Sequence, residues 1–200
     1  LGLPKKRKSA GMPNAFTLNY GHGSSLKGAR LEEFFTEEFG VTTFEDLENP
    51  LKVVAGDVRE RSEIVFDSGD LISAVRASMS IPGLFKPVER DGRVLVDGVV
   101  VNPLPFDLLR DQCDRVVAVN VQGTKSENKS SIPRTIDSVL GAFEIMESSL
   151  VNARLKAGEP DLRLNPQAKD VRVLEFHRAS EIYRAGEPEV KKLRDWLATA

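Results

Sequence analysis

An aspartate followed by a glycine, Asp97-Gly98, stands between two apolar runs, Val94-Leu95-Val96 before it and Val99-Val100-Val101 after it. Withdrawing an ionised carboxylate from water costs several kcal/mol unless something pairs with it. An aspartate placed here therefore either caps local backbone or works in a site, and strand ends are where α/β folds put their sites. In the second role it can hold and return a proton. Asp91-Gly92 is the same dipeptide in a polar setting and reads as a turn alone.

Other chemistry-bearing residues are fewer. In Gly21-His22-Gly23-Ser24-Ser25 a serine nucleophile would need Gly-x-Ser-x-Gly, but Lys27 stands where the last glycine belongs. The segment reads as a loop leading into the next helix. His22 and His177 are the only histidines and are far apart. They offer neither metal-ligand spacing nor a Ser-Asp-His order. Cys113 is the single cysteine, which excludes an internal disulfide and a cysteine-based zinc site and fits a reducing compartment.

These residues need elements to position them. Leu31, Phe34, Phe35 and Phe39 recur at helical spacing over 28–39, with Glu32, Glu33, Glu37 and Glu38 on a solvated face. Strands are expected at 15–20, 51–55 and 63–66, and a helix over 70–77 ended by Pro82-Gly83. Residues 88–96 read as a hairpin about Asp91-Gly92. A short helix follows Pro105, and then Arg115-Val116-Val117-Ala118-Val119-Asn120-Val121 reads as a strand buried on both faces. A polar linker spans 123–134, and a long amphipathic helix runs over 135–156 through Val139, Phe143, Met146, Val151 and Leu155. Strands at 162–164 and 171–176 precede a last helix over 187–197, with Pro188 in its first turn. This alternation predicts an α/β fold with a largely parallel central sheet flanked by helices.

The 200 residues, 40% apolar and 29% charged, suit one soluble domain over 1–200 with a flexible polar segment at 1–14. A net charge of −2 gives no global field for nucleic acid. Lys5-Lys6-Arg7-Lys8 reads as a solvated loop, or as a patch able to approach anionic lipid. No run approaches the length of a membrane span, and no signal-peptide pattern opens the chain.

The block from Asp70 through Ala74-Val75-Arg76-Ala77-Ser78-Met79-Ser80-Ile81-Pro82-Gly83-Leu84-Phe85 to Val88 is specific enough to name a family. With Leu95-Val96-Asp97-Gly98 and Val101-Asn102-Pro103-Leu104-Pro105, it resembles the bacterial branch of the patatin-like phospholipases. The resemblance implies a serine acyl hydrolase acting on phospholipids, lysophospholipids or other acyl esters through a Ser–Asp dyad, without metal or cofactor. It implies Asp97 as the base and Gly98 as its motif partner. Val99 replaces the small third residue of the family's motif, and Asn120 stands where an acidic residue is common. The family's oxyanion loop and Gly-x-Ser-x-Gly elbow are not found in these residues. The chain, beginning at Leu1, is therefore expected to be the C-terminal part of a hydrolase domain, missing a first strand and elbow and inactive alone. A cytoplasmic protein with peripheral membrane contact is expected. The alternative is a non-catalytic relative kept as a binding or regulatory module.

Overall fold

The computed structural model describes residues 24–122, 135–168, 171 and 178–199. The expected strands at 15–20 and 171–176, the Lys5–Lys8 run, His22 and His177 lie outside the described residues, apart from Val171.

Four helices are described: α1 (Ser24–Phe39), α2 (Leu71–Ser78), α3 (Thr135–Ala157) and α4 (Ala179–Ala198). The strands are β1 (Val53–Asp57), β2 (Ser62–Phe66), β3 (Val88–Arg90), β4 (Arg93–Asp97), β5 (Val117–Val119) and β6 (Leu162–Leu164). The fold is α/β, but the main sheet is not the largely parallel one expected. It has the order β2-β1-β4-β3, and each of its pairs is antiparallel. The connections explain this, since tight turns can join only antiparallel neighbours. β1 reaches β2 through four residues, with Arg61 at φ 52°, and β3 reaches β4 through Asp91-Gly92. Both residues of that second turn have positive φ, 52° and 75°, which a type I′ turn requires. Among the described residues parallel pairing is confined to the two-stranded β5–β6 sheet. There Val119 and Val121 are 46% and 77% exposed, so the run over 115–121 is not buried on both faces.

Helix α2 packs on the main sheet because its apolar residues fall on one side. Leu71 and Ala74 join Phe44 and Val53, and Ala77 joins Ala55 and Leu95. Its start is fixed by Asp70, whose Oδ1 accepts a hydrogen bond from the Ser73 amide at 3.2 Å. Asp70→Ala is expected to cost about 1 kcal/mol of stability, read by urea denaturation. A second core joins α3 to β5: Val151 and Leu155 pack with Leu104, Phe106, Val116 and Ala118. Asp161 sets the β5–β6 pairing, its carboxylate taking the Val116 amide at 2.7 Å while its own amide donates to the Val116 carbonyl.

Two helices differ from expectation. In α1 the glutamates are exposed as anticipated, but among the described side chains Leu31 rather than the phenylalanines is buried. Phe35 and Phe39 stack on each other at 5.4 Å instead. Helix α4 begins at Ala179, and Pro188 lies within it rather than in its first turn. An interior proline forfeits a backbone hydrogen bond. Compensation comes from a half-buried stripe at Ala185, Glu189, Leu193 and Trp196, and from Arg115 stacked over the Trp196 ring at 5.1 Å.

Candidate active site

Asp97 is the last residue of β4 and the cap of a single 3-10 turn, Gly98–Val100. Its backbone is held on both sides. Its amide donates to the buried Ser80 carbonyl at 3.0 Å, and Ala55 of β1 is its neighbour across the sheet. Ser80 is itself fixed, because its hydroxyl bonds the Arg76 carbonyl and accepts from the Arg76 guanidinium, both at 2.7 Å.

Oδ1 of Asp97 accepts the Val99 amide at 2.9 Å. Among the described residues Oδ2 has no hydrogen-bond partner. The two readings of this aspartate, cap and site residue, are thus divided between its two oxygens. The carboxyl is pushed up to about 6. Burial is the main cause; the Val99 amide pulls the other way, and the Glu147 carboxylate of α3 adds to the rise. A carboxyl in that range accepts a proton near neutral pH and gives it back, as a general base requires.

Gly98 lets the turn lie flat on the sheet. A Cβ there would meet the Val54 carbonyl oxygen at 2.4 Å. The turn then crosses β1, with Val100 packed where a side chain at Gly56 would stand, 2.8 Å from its Cγ2. Val99 contributes its amide to the turn and leaves its side chain half-buried.

Beyond the turn lies a closed polar ring whose roles the sequence did not suggest. Asn102 Nδ2 donates to Glu63 Oε1 at 3.0 Å and to Asp107 Oδ1 at 3.2 Å. Arg154 of α3 bonds the remaining oxygen of each, reaching Glu63 Oε2 at 3.0 Å and Asp107 Oδ2, and also approaches the Val101 carbonyl at 3.4 Å. A sequence signal existed: Glu147 and Arg154 share a helical face with buried Val151, charges set within an apolar stripe. Conversely Val139 and Met146, expected on the packed face, are 46% and 51% exposed.

Ser24 and Ser25 open α1 instead of lying in a loop; their side chains are outside the described residues. No group of three His, Cys, Asp or Glu side chains suited to a metal occurs among the described residues. A shallow recess lined by Arg59, Glu89, Arg90, Asp91, Gly92 and Arg93 lies at the far end of β4 from Asp97. Its arginines are engaged with the Gly92 carbonyl, the Asp70 carbonyl and Asp57 respectively. Among the described residues no helix is long and apolar enough to cross a membrane.

The sequence model described as patatin-like phospholipase matches residues 5–110, which contain the whole Asp97 turn. An uncharacterized NTE family protein of Mycobacterium tuberculosis is 32% identical over 102 residues, covering 50% of this chain and 28% of the relative. A second uncharacterized NTE family protein of that organism is 34% identical over 99 residues, covering 49% of this chain and 17% of the relative. Mouse patatin-like phospholipase domain-containing protein 7 is 30% identical over 118 residues, 58% of this chain and 9% of its own length. The aligned region thus spans less than a third of the length of each of these relatives.

Proposed function

The chain belongs to the patatin-like phospholipase family, and from that premise we propose that it forms the base-bearing part of a serine acyl hydrolase acting on acyl esters of lipids. The observation that carries the reading is Asp97: a carboxyl raised to about 6, with Oδ1 spent on the Val99 amide and Oδ2 unpartnered among the described residues.

In this mechanism a serine hydroxyl attacks the ester carbonyl carbon as Oδ2 of Asp97 takes the hydroxyl proton. The tetrahedral intermediate collapses, the bond to the leaving alcohol breaks, and Asp97 returns the proton to that alcohol. Water, deprotonated by the same carboxylate, then attacks the acyl-serine; the bond to the serine oxygen breaks, and Asp97 returns that proton to it. The Val99 amide holds the carboxylate plane throughout, so Oδ2 needs no reorientation between steps. No Gly-x-Ser-x-Gly occurs in the 200 residues. The nucleophile is accordingly proposed to come from sequence outside them, and the isolated chain to be inactive. Phospholipids and lysophospholipids are the proposed substrates, met at a membrane surface.

The test is hydrolysis of a short-chain p-nitrophenyl ester by this chain, beside the same chain extended upstream to the whole gene product. Activity in the extended protein alone, lost with Asp97→Asn, supports the split dyad. Silence of a folded extended protein favours the non-catalytic module. Because the base works only when ionised, kcat/KM should fall as pH drops through about 6 and level off above it. A profile flat between pH 5 and 8 would exclude Asp97 as the base.

A further inference from the structure

Helix α3 is fastened beside the Asp97 turn at two points. The first is Arg154, which joins Glu63 of β2, Asp107 and the Val101 carbonyl. Asn102, only 2% exposed, closes this ring, and its amide donates to the Gly98 carbonyl at 2.8 Å. The clamp therefore grips the segment that leaves Asp97. The second point is Ser148, whose hydroxyl meets the Gln122 side chain at 3.3 Å. Half-buried Glu147 adjoins the second attachment, on the face it shares with Val151 and Arg154. Seven residues of helix separate Glu147 from Arg154, roughly 10 Å along the axis. Fixing Arg154 therefore fixes where Glu147 falls.

We propose that the Arg154 clamp sets the register of α3 so that Glu147 faces Asp97, making Glu147 and Arg154 positioning residues that tune the Asp97 carboxyl. The inference rests on the reading of Asp97 as the base only for its catalytic meaning; the placement itself is independent of it.

Among the described residues, charged groups on the neighbouring elements have partners of their own. Arg76 of α2 is bonded to Ser80, and Asp57 of β1 is held by Arg93 and by the Arg59 and Glu60 amides. The Glu147 carboxylate adds to the rise of the Asp97 carboxyl, of which burial is the main cause. The Glu147 carboxyl is itself raised by burial, lowered by the Gln122 hydrogen bond and raised by Glu144 on the same helix.

The test is a carbon-13 NMR titration of the Asp97 carboxyl in the 200-residue chain. Glu147→Gln is expected to lower the Asp97 midpoint by roughly half a pH unit, the scale of one like charge near a partly wetted carboxyl. Arg154→Met is expected to lower it as well. That sign is diagnostic, because deleting a positive charge alone would raise it. In the Glu147→Gln background Arg154→Met should add no further fall. Should Arg154→Met fail to fold by circular dichroism, Arg154→Lys decides, with a smaller fall that is again absent in the Glu147→Gln background.

An unmoved midpoint in Glu147→Gln overturns the proposal, as does a rise or an additive fall in the Arg154 variant. None of these outcomes depends on ester hydrolysis. Failure here is therefore separable from failure of the base assignment, which Asp97→Asn reads in the extended protein.

Discussion

Asp97→Asn in the extended protein is expected to abolish ester hydrolysis and, in the same molecule, to stabilise the fold near neutral pH. The first effect follows from losing the proton acceptor, which is worth on the order of 10²–10⁴ in rate. The second follows from the direction of its shift. Asp97 titrates at about 6 in the folded chain against an ordinary 3.8. The folded state therefore binds the proton more tightly than the unfolded state does. Between about pH 4 and 6 stability falls as pH rises, and above 6 the full cost of burying the ionised carboxylate is present. That cost is no more than about 3 kcal/mol, and less to the extent that water reaches Oδ2. Asparagine keeps the Oδ1 acceptor for the Val99 amide and carries no charge. The variant should resist denaturant better than the parent at pH 7.5 and equal it near pH 3. A cap alone would give the opposite result, since losing a charged acceptor weakens the turn. Loss of activity with lower stability at pH 7.5 would thus return Asp97 to a structural role.

Much of this site is legible in the amino-acid sequence. The Asp97-Gly98 pair is conspicuous because an ionisable group interrupts an apolar run, and the desolvation that makes it so also raises its carboxyl. The hairpin at Asp91-Gly92 and the start of α2 behind Asp70 are equally readable, since each rests on local backbone chemistry. Sheet direction is not readable in this way. An unbroken apolar run such as 115–121 fits a doubly covered parallel strand and an exposed one alike, and exposure of Val121 is decided by what packs there. The polar ring is hidden for a related reason. Glu63 and Arg154 lie 91 residues apart and acquire meaning only when the sheet brings β2 under α3. Pro188 misleads because a proline near a helical pattern favours the first turn, whereas α4 extends upstream of it with the Arg178–Glu181 ion pair at its start.

Gly98→Ala is expected to destabilise the fold strongly. The added Cβ would stand 2.4 Å from the Val54 carbonyl oxygen and 3.1 Å from Val54 Cβ, well inside contact distance. Val54 cannot retreat, because β1 lies between β2 and β4 and Val54 pairs with Val65. The turn must lift instead. Lifting it strains the Val99 amide bond to Oδ1 and the bonds from the Val101 and Asn102 amides to the Gly98 carbonyl. It also pulls Asn102 from the ring that anchors α3. Overpacking typically costs about 1–3 kcal/mol where neighbours can yield, and here the obstructing atom is central-strand backbone, so the loss should reach or exceed the top of that range. Val99→Ala is the matched control. It keeps the amide that bonds Asp97 and removes only half-buried methyl groups, so its loss should stay below about 1 kcal/mol. Denaturation midpoints in urea decide the matter. Equal losses at 98 and 99 would mean that the turn floats above β1, whereas a large loss at 98 alone would mean that the Asp97 turn is held by backbone contact with the central strand.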